Sequence, residues 1–172
     1  MEIERKFLLN SLPDLKDAYC YRIEQAYVET DPVIRVRKRA DINGDGSTGE
    51  AGYVLTLKSG GMMAHEEYEI ALKKESYDRL CAKACGNVIT KDRYVLSLSD
   101  GLKLELDIFH GAFEGLILAE IEFPSEEKAR AFNPPSYVSE DVTFDGRFHN
   151  NRMSQMSSGE IKELIDSLPR LS

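Results

Sequence analysis

Much that would announce a chemistry is missing from this chain. No uninterrupted apolar run approaches the ~18 residues of a membrane span. The residues after Met1 turn charged within two positions, so neither a spanning helix nor a secretory leader is expected. There is no GxxxxGK[ST] loop to cradle a nucleotide. The histidines, His65, His110 and His149, have no partners at zinc-ligand spacing. The cysteines, Cys20, Cys81 and Cys85, are odd in number, which speaks for reduced thiols in a cytoplasmic protein and against a disulfide framework. An excess of positive charge is missing too. The net charge of −8 argues against a binder of nucleic acid or of anionic membranes, although a local cluster of bases can still hold a small anion.

What is present is an ordinary globular composition. With 42% hydrophobic and 30% charged residues, disorder is not expected. Its 172 residues fit one domain over 1–172, large enough to fold without a metal or disulfide staple. Period-two alternation dominates and predicts strands at about 2–10, 20–29, 33–40, 52–59, 66–73, 91–98, 102–109 and 117–123. Helical spacing predicts a helix over 76–84 stopped by Gly86, a short one after Pro124 with Ser125 as N-cap, and a last one after Ser157. In that last helix Glu160 completes a capping box, and Ile161, Leu164, Ile165 and Leu168 form one stripe. DINGDGSTGEAG reads as a hairpin loop. It starts like a calcium loop, but Gly52 stands where the bidentate Glu belongs, so no calcium site is assigned.

The strands share a peculiarity. Glu2, Glu4 and Lys6 lie on one face of the first; Arg35, Arg37 and Arg39 on one face of VIRVRKR. Thr56 and Lys58 oppose Leu55 and Leu57, and Glu67 and Glu69 oppose Tyr68, Ile70 and Leu72. Lys91 and Arg93 follow, then Lys103, Glu105 and Asp107, then Glu120 and Glu122. A sheet with one wet face also alternates in this way. Solvated strands, however, use Thr, Ser and Gln as fillers, whereas here nearly every polar position is fully charged. Like charges two apart on one face repel, and no structural need calls for them. If the sheet closed into a barrel with these faces inward, the charges would need a polyanion and a divalent cation to compensate them.

The set resembles a known family. Glu2-x-Glu4-x-Lys6 is similar to the ExExK signature of the CYTH superfamily, the triphosphate tunnel metalloenzymes. QAYV, IRVR, LTLK, HEEYEI, KDRY, LELD, AEIEF and DGRFHN resemble its further motifs in order along the chain. The resemblance implies a mostly β fold (α+β), an eight-stranded antiparallel closed tunnel barrel with peripheral helices, acting on triphosphates. By resemblance, Lys6, Arg35, Arg37, Lys58, Lys91 and Arg93 grip the phosphates, with Arg147 reaching them from the C-terminal segment. Glu2, Glu4, Glu67, Glu69, Asp107, Glu120 and Glu122 hold Mg2+ or Mn2+ and orient water; Glu105, Arg39 and Lys103 share the pattern with less support. Glu2, Glu4 and Lys6 are the catalytic candidates, and Tyr27 is either a packing aromatic or a substrate contact. His65 stands where an Arg is common and Phe148 where a Tyr is usual, which bears on substrate preference.

The expected activity is that of a bacterial-type inorganic triphosphatase, cleaving tripolyphosphate to pyrophosphate and phosphate. The substrate class is a small polyanion, tripolyphosphate or a nucleoside or organic triphosphate. The alternatives are a class IV adenylyl cyclase and a non-catalytic polyphosphate-binding module. A barrel for an apolar ligand would instead point Leu55, Ile70 and Leu106 into the cavity. Oligomeric state is open, a homodimer included.

Overall fold

The computed structural model describes residues 2–58 and 64–171, with Glu2, Ala64 and His65 described by their backbone alone. Ten strands are formed. They are β1 (Glu2–Leu9), β2 (Tyr19–Thr30), β3 (Val33–Asp41), β4 (Gly52–Lys58), β5 (Ala64–His65), β6 (Glu67–Ala71), β7 (Cys85–Ser97), β8 (Lys103–His110), β9 (Ile117–Glu122) and β10 (Val138–Asp141). Four helices accompany them: α1 (Lys74–Cys81), α2 (Glu126–Ala131), α3 (Asn150–Ser154) and α4 (Ser158–Asp166). None is long and apolar enough to cross a membrane among the described residues.

All the strand ladders are antiparallel, in the order β10-β1-β9-β8-β7-β2-β3-β4-β6. The circuit is completed by β5, which pairs with β1 at Glu2–His65 and Ile3–Ala64 and runs after Glu66 into β6, itself paired with β4. Counting β5 and β6 as one interrupted strand, eight strands go round. The closure rests on those two residue pairs, because β10 occupies the rest of the same edge of β1, at Phe7–Leu9. The mostly antiparallel tunnel expected from the sequence is thus present, with β10 as an addition.

Two apolar clusters sit on opposite faces of the same strands. Outside, Phe7, Leu9, Leu104, Leu106 and Ile121 pack under α2 and the segment around Phe132. Inside, Leu8, Ile89, Phe109 and Leu118 meet Phe113, Phe148, Met153, Ile161 and Leu164. The inward positions therefore change character partway along each strand: Lys6 gives way to Leu8, Lys91 to Ile89, Asp107 to Phe109 and Glu120 to Leu118. Only part of the barrel length is charged, and the rest is an apolar floor closed by α3 and α4. Phe148 is buried in that floor, where a tyrosine hydroxyl would lose water without need.

Local chemistry explains the helices. Ser125 Oγ accepts from the Lys128 amide at the start of α2, and Ser157 with Glu160 forms the anticipated capping box of α4. The first helix is displaced from expectation: it spans Lys74–Cys81, and Gly86 belongs to β7, which starts six residues before the predicted 91. Gly86 has φ +80°, and a Cβ there would lie 2.0 Å from the Ser154 carbonyl oxygen. The glycine serves close approach of α3 to β7 rather than helix termination. Strand β10 and helix α3 were not anticipated. At four and five residues, neither is long enough to show a period.

Candidate active site

The charged faces of the strands converge on one cavity of about 520 Å³. Register builds its acidic wall. On β1 and β9, Glu4 lies directly across from Glu122 and Lys6 across from Glu120; on β8, Glu105 lies across from Glu120. The Lys6 Nζ reaches Glu120 Oε1 at 2.5 Å and Glu4 Oε1 at 3.0 Å. Burial pulls the Lys6 ammonium down, but Glu120 and Glu4 outweigh it and hold it above the ordinary lysine value. Glu120 is pushed up by burial and, far more strongly, down by Lys6, Arg93 and Lys91, so it stays ionised.

Arg93 is the hub. Its Nε donates to Asp107 Oδ1 at 2.6 Å and its Nη2 to Glu120 Oε2 at 2.5 Å, while Nη1 donates to Glu105. Burial lowers it, and these carboxylates raise it well above the usual arginine value. Lys91 donates to the same Asp107. Its burial and the neighbouring Arg93 bring the ammonium down to about 8 despite Asp107 and Glu120. Asp107, wholly buried, lies behind the two bases rather than on the cavity surface.

The opposite wall, from β3, β4 and β6, is compensated less completely. Arg35 Nη2 donates to Thr56 Oγ1 at 3.1 Å and lies 3.6 Å from Glu67, while Lys58 Nζ is 3.3 Å from Glu67. Arg37 has no ion pair or hydrogen bond among the described residues. The Nε atoms of both Arg35 and Arg37 are buried without partners. Burial, then the repulsion of Arg35 and Arg93, brings Arg37 down to about 10.

Of the residues singled out in the sequence, Glu4, Lys6, Arg35, Arg37, Lys58, Glu67, Glu69, Lys91, Arg93, Glu120 and Glu122 line this one cavity, with Glu105 and Lys103 beside them. Glu2 joins its strand by backbone, and its side chain and that of His65 lie outside the described residues. Arg39 stacks on the Tyr21 ring, 3.6 Å from its centroid. Tyr27 is buried behind the wall and accepts from Gln25 Nε2 at 3.1 Å. Arg147 is not brought in: it is half-exposed and pairs with Asp145 at 2.6 Å. Leu55, Ile70 and Leu106 do not line the cavity, which removes the apolar-ligand reading.

Three participants stood in the motifs read from the sequence without being given a role there. Thr56 is fully buried between Arg35 and Glu69. Gln25 is fully buried with an unpartnered Oε1. Asn150 ends DGRFHN, lines the cavity, and keeps a buried, unpartnered Oδ1. The strand parity that placed Arg37 could have placed Gln25, its register partner; the signal for Asn150 was its place at the end of DGRFHN.

No family model matches the chain. It is 37% identical over 153 residues to an inorganic triphosphatase of Nitrosomonas europaea, covering 89% of this chain and 96% of that protein. The chain belongs to the inorganic triphosphatase family. A second member, from Acetivibrio thermocellus, is 34% identical over 169 residues, covering 94% of this chain and 98% of the relative. A crystal structure of an inorganic triphosphatase superposes with a TM-score of 0.65 at 35% identity, over 91% of this chain and 96% of that one. That triphosphatase shares the antiparallel fold described above.

Proposed function

We propose that the chain hydrolyses a linear triphosphate, tripolyphosphate foremost, to pyrophosphate and phosphate in the cytoplasm with Mg2+ or Mn2+. The observation that carries this is the incompletely compensated base wall, where Arg37 has no ion pair among the described residues. Two guanidinium Nε donors are buried without acceptors, an expensive arrangement unless an anion completes it. Arg35, Arg37, Lys58, Lys91, Arg93 and Lys6 hold the phosphate oxygens, arginine offering paired donors that suit phosphate geometry.

Across the cavity, Glu4 and Glu122 face each other in register, and Glu122 has no ion-pair partner among the described residues. Their hard oxygen donors fit a divalent cation. No group of three or more acidic, histidine or cysteine side chains is gathered to hold a metal among the described residues, so phosphate oxygens complete the set. Glu2, Glu67, Glu69 and Glu120 are the further ligand candidates. When bound, the cation neutralises phosphate charge. Asp107, enclosed by Lys91 and Arg93, fixes the two bases in place. The base that takes the proton of the attacking water is a carboxylate, because the cations must stay protonated to bind the anion; Glu4 is the candidate.

A panel of tripolyphosphate, ATP and thiamine triphosphate, each with Mg2+ and Mn2+, tests the reading. Tripolyphosphate turnover that Glu4→Gln abolishes supports it. Conversion of ATP to cyclic AMP as the main activity would overturn it.

A further inference from the structure

Asn150 closes the DGRFHN motif and lines the cavity, yet neither the motif nor the charge pattern gives its carboxamide a task. It stands at the start of α3 among the cavity-lining residues, and its Oδ1 is out of solvent and unpartnered although charged donors line the same cavity. Those donors are engaged elsewhere on its side of the cavity: Lys6 with Glu4 and Glu120, Arg93 with Glu105, Asp107 and Glu120. The segment leading to Asn150 is tied to the acidic wall. The Lys6 amide donates to Thr143 Oγ1 at 3.0 Å, and the Val142 amide donates to the Lys6 carbonyl at 2.9 Å. The His149 ring nitrogen then meets the Thr143 carbonyl at 2.9 Å, fixing the residue before Asn150. Bonds to the backbone of β1 therefore bring the carboxamide into the cavity that Lys6 and Glu4 line.

A neutral acceptor there cannot serve phosphate oxygens, which are acceptors too. It needs a donor that arrives with the reaction, and water is the donor that triphosphate hydrolysis requires. Resting on that reading of the function, we infer that Asn150 Oδ1 orients the attacking water. One water proton points to Asn150 and the other to a carboxylate of the Glu4 wall. The water oxygen bonds to a terminal phosphorus as that phosphorus loses its bond to the bridging oxygen. The bridging oxygen leaves with the electron pair as pyrophosphate. The proton facing the carboxylate passes to it, and the proton facing Asn150 stays on the phosphate product. Geometry of this kind acts on the rate and leaves ground-state binding alone.

The test compares Asn150→Ala and Asn150→Asp with the wild type, using tripolyphosphate. For Asn150→Ala, kcat is expected to fall about 100-fold with KM within about twofold. Calorimetric affinity for tripolyphosphate in EDTA, where nothing turns over, should be unchanged, and the melting temperature should hold. Asn150→Asp, which keeps an acceptor at the same reach, should retain more kcat than the alanine variant, and it carries the test if the alanine variant does not fold. A raised KM or weakened calorimetric affinity with kcat preserved would make Asn150 a phosphate contact through its Nδ2 and overturn the inference. Wild-type rates in both variants would overturn it as well while leaving the triphosphatase reading intact. A wild type that binds but does not cleave tripolyphosphate would defeat both.

Discussion

Arginine 37 should show opposite effects on stability and binding. Its guanidinium is buried near Arg35 and Arg93 with no ion pair among the described residues, and burial followed by their repulsion brings it from the ordinary arginine value down to about 10. That difference corresponds to about 3 kcal/mol of disfavour for the charged form, trimmed to about 1–2 kcal/mol by water reaching the partly exposed remainder of the side chain. Replacing Arg37 with methionine removes the charge and keeps most of the volume. The ligand-free protein should then melt higher, by about 2–8 °C for a chain of this size. Tripolyphosphate should bind about 10–100-fold more weakly, the loss of one charge-assisted donor set. Differential scanning calorimetry with and without tripolyphosphate reads both quantities from one sample series. A ligand-free Arg37→Met that melts lower than wild type would show that the charge is already compensated, and the case for an anion-demanding wall would collapse.

Three further outcomes are expected. Asp107→Asn leaves Lys91 and Arg93 without their shared buried anion, so urea denaturation should reveal a loss of about 3–5 kcal/mol; a loss under 1 kcal/mol would deny Asp107 its anchoring part. Lys91, brought down to about 8 in the fold from 10.5, releases its proton earlier when folded. Between those values the unfolded chain holds more protons, so this group makes the free protein more stable as pH rises through that window, while tripolyphosphate affinity falls above about pH 8. Affinity that stays flat from pH 7 to 10 would contradict this, and Lys91→Arg should flatten it. Gly86→Ala places a Cβ against the Ser154 carbonyl oxygen in a left-handed backbone, so α3 must shift. A thermal melt within 1 °C of wild type would refute the close-approach role.

Much of the site was legible because strands report their faces with a period of two. Once Glu4, Lys6, Arg35, Arg37, Lys58, Glu67, Lys91, Arg93 and Glu120 were assigned to one parity, a closed sheet could only turn them toward one another. The capping box at Ser157–Glu160 was equally local and equally readable. Other features were not local. Whether a charge at an inward position meets the cavity or hides behind it depends on depth and register: Asp107 and Glu120 share a pattern, yet only Glu120 reaches the cavity surface. Arg147, expected to reach the phosphates, pairs with Asp145 two residues away in a 3-10 turn and does not line the cavity. Gly86, Gln25 and Asn150 owe their parts to contacts across the sheet, with α3 and β7, with Tyr27, and with the cavity that the C-terminal segment closes. By itself the sequence determined which side chains share a face, because alternation is a property of each strand alone. Only the tertiary structure decided which of them are paired, which are left wanting a partner, and where the charged interior ends in an apolar floor, because those follow from distances between strands far apart in the chain.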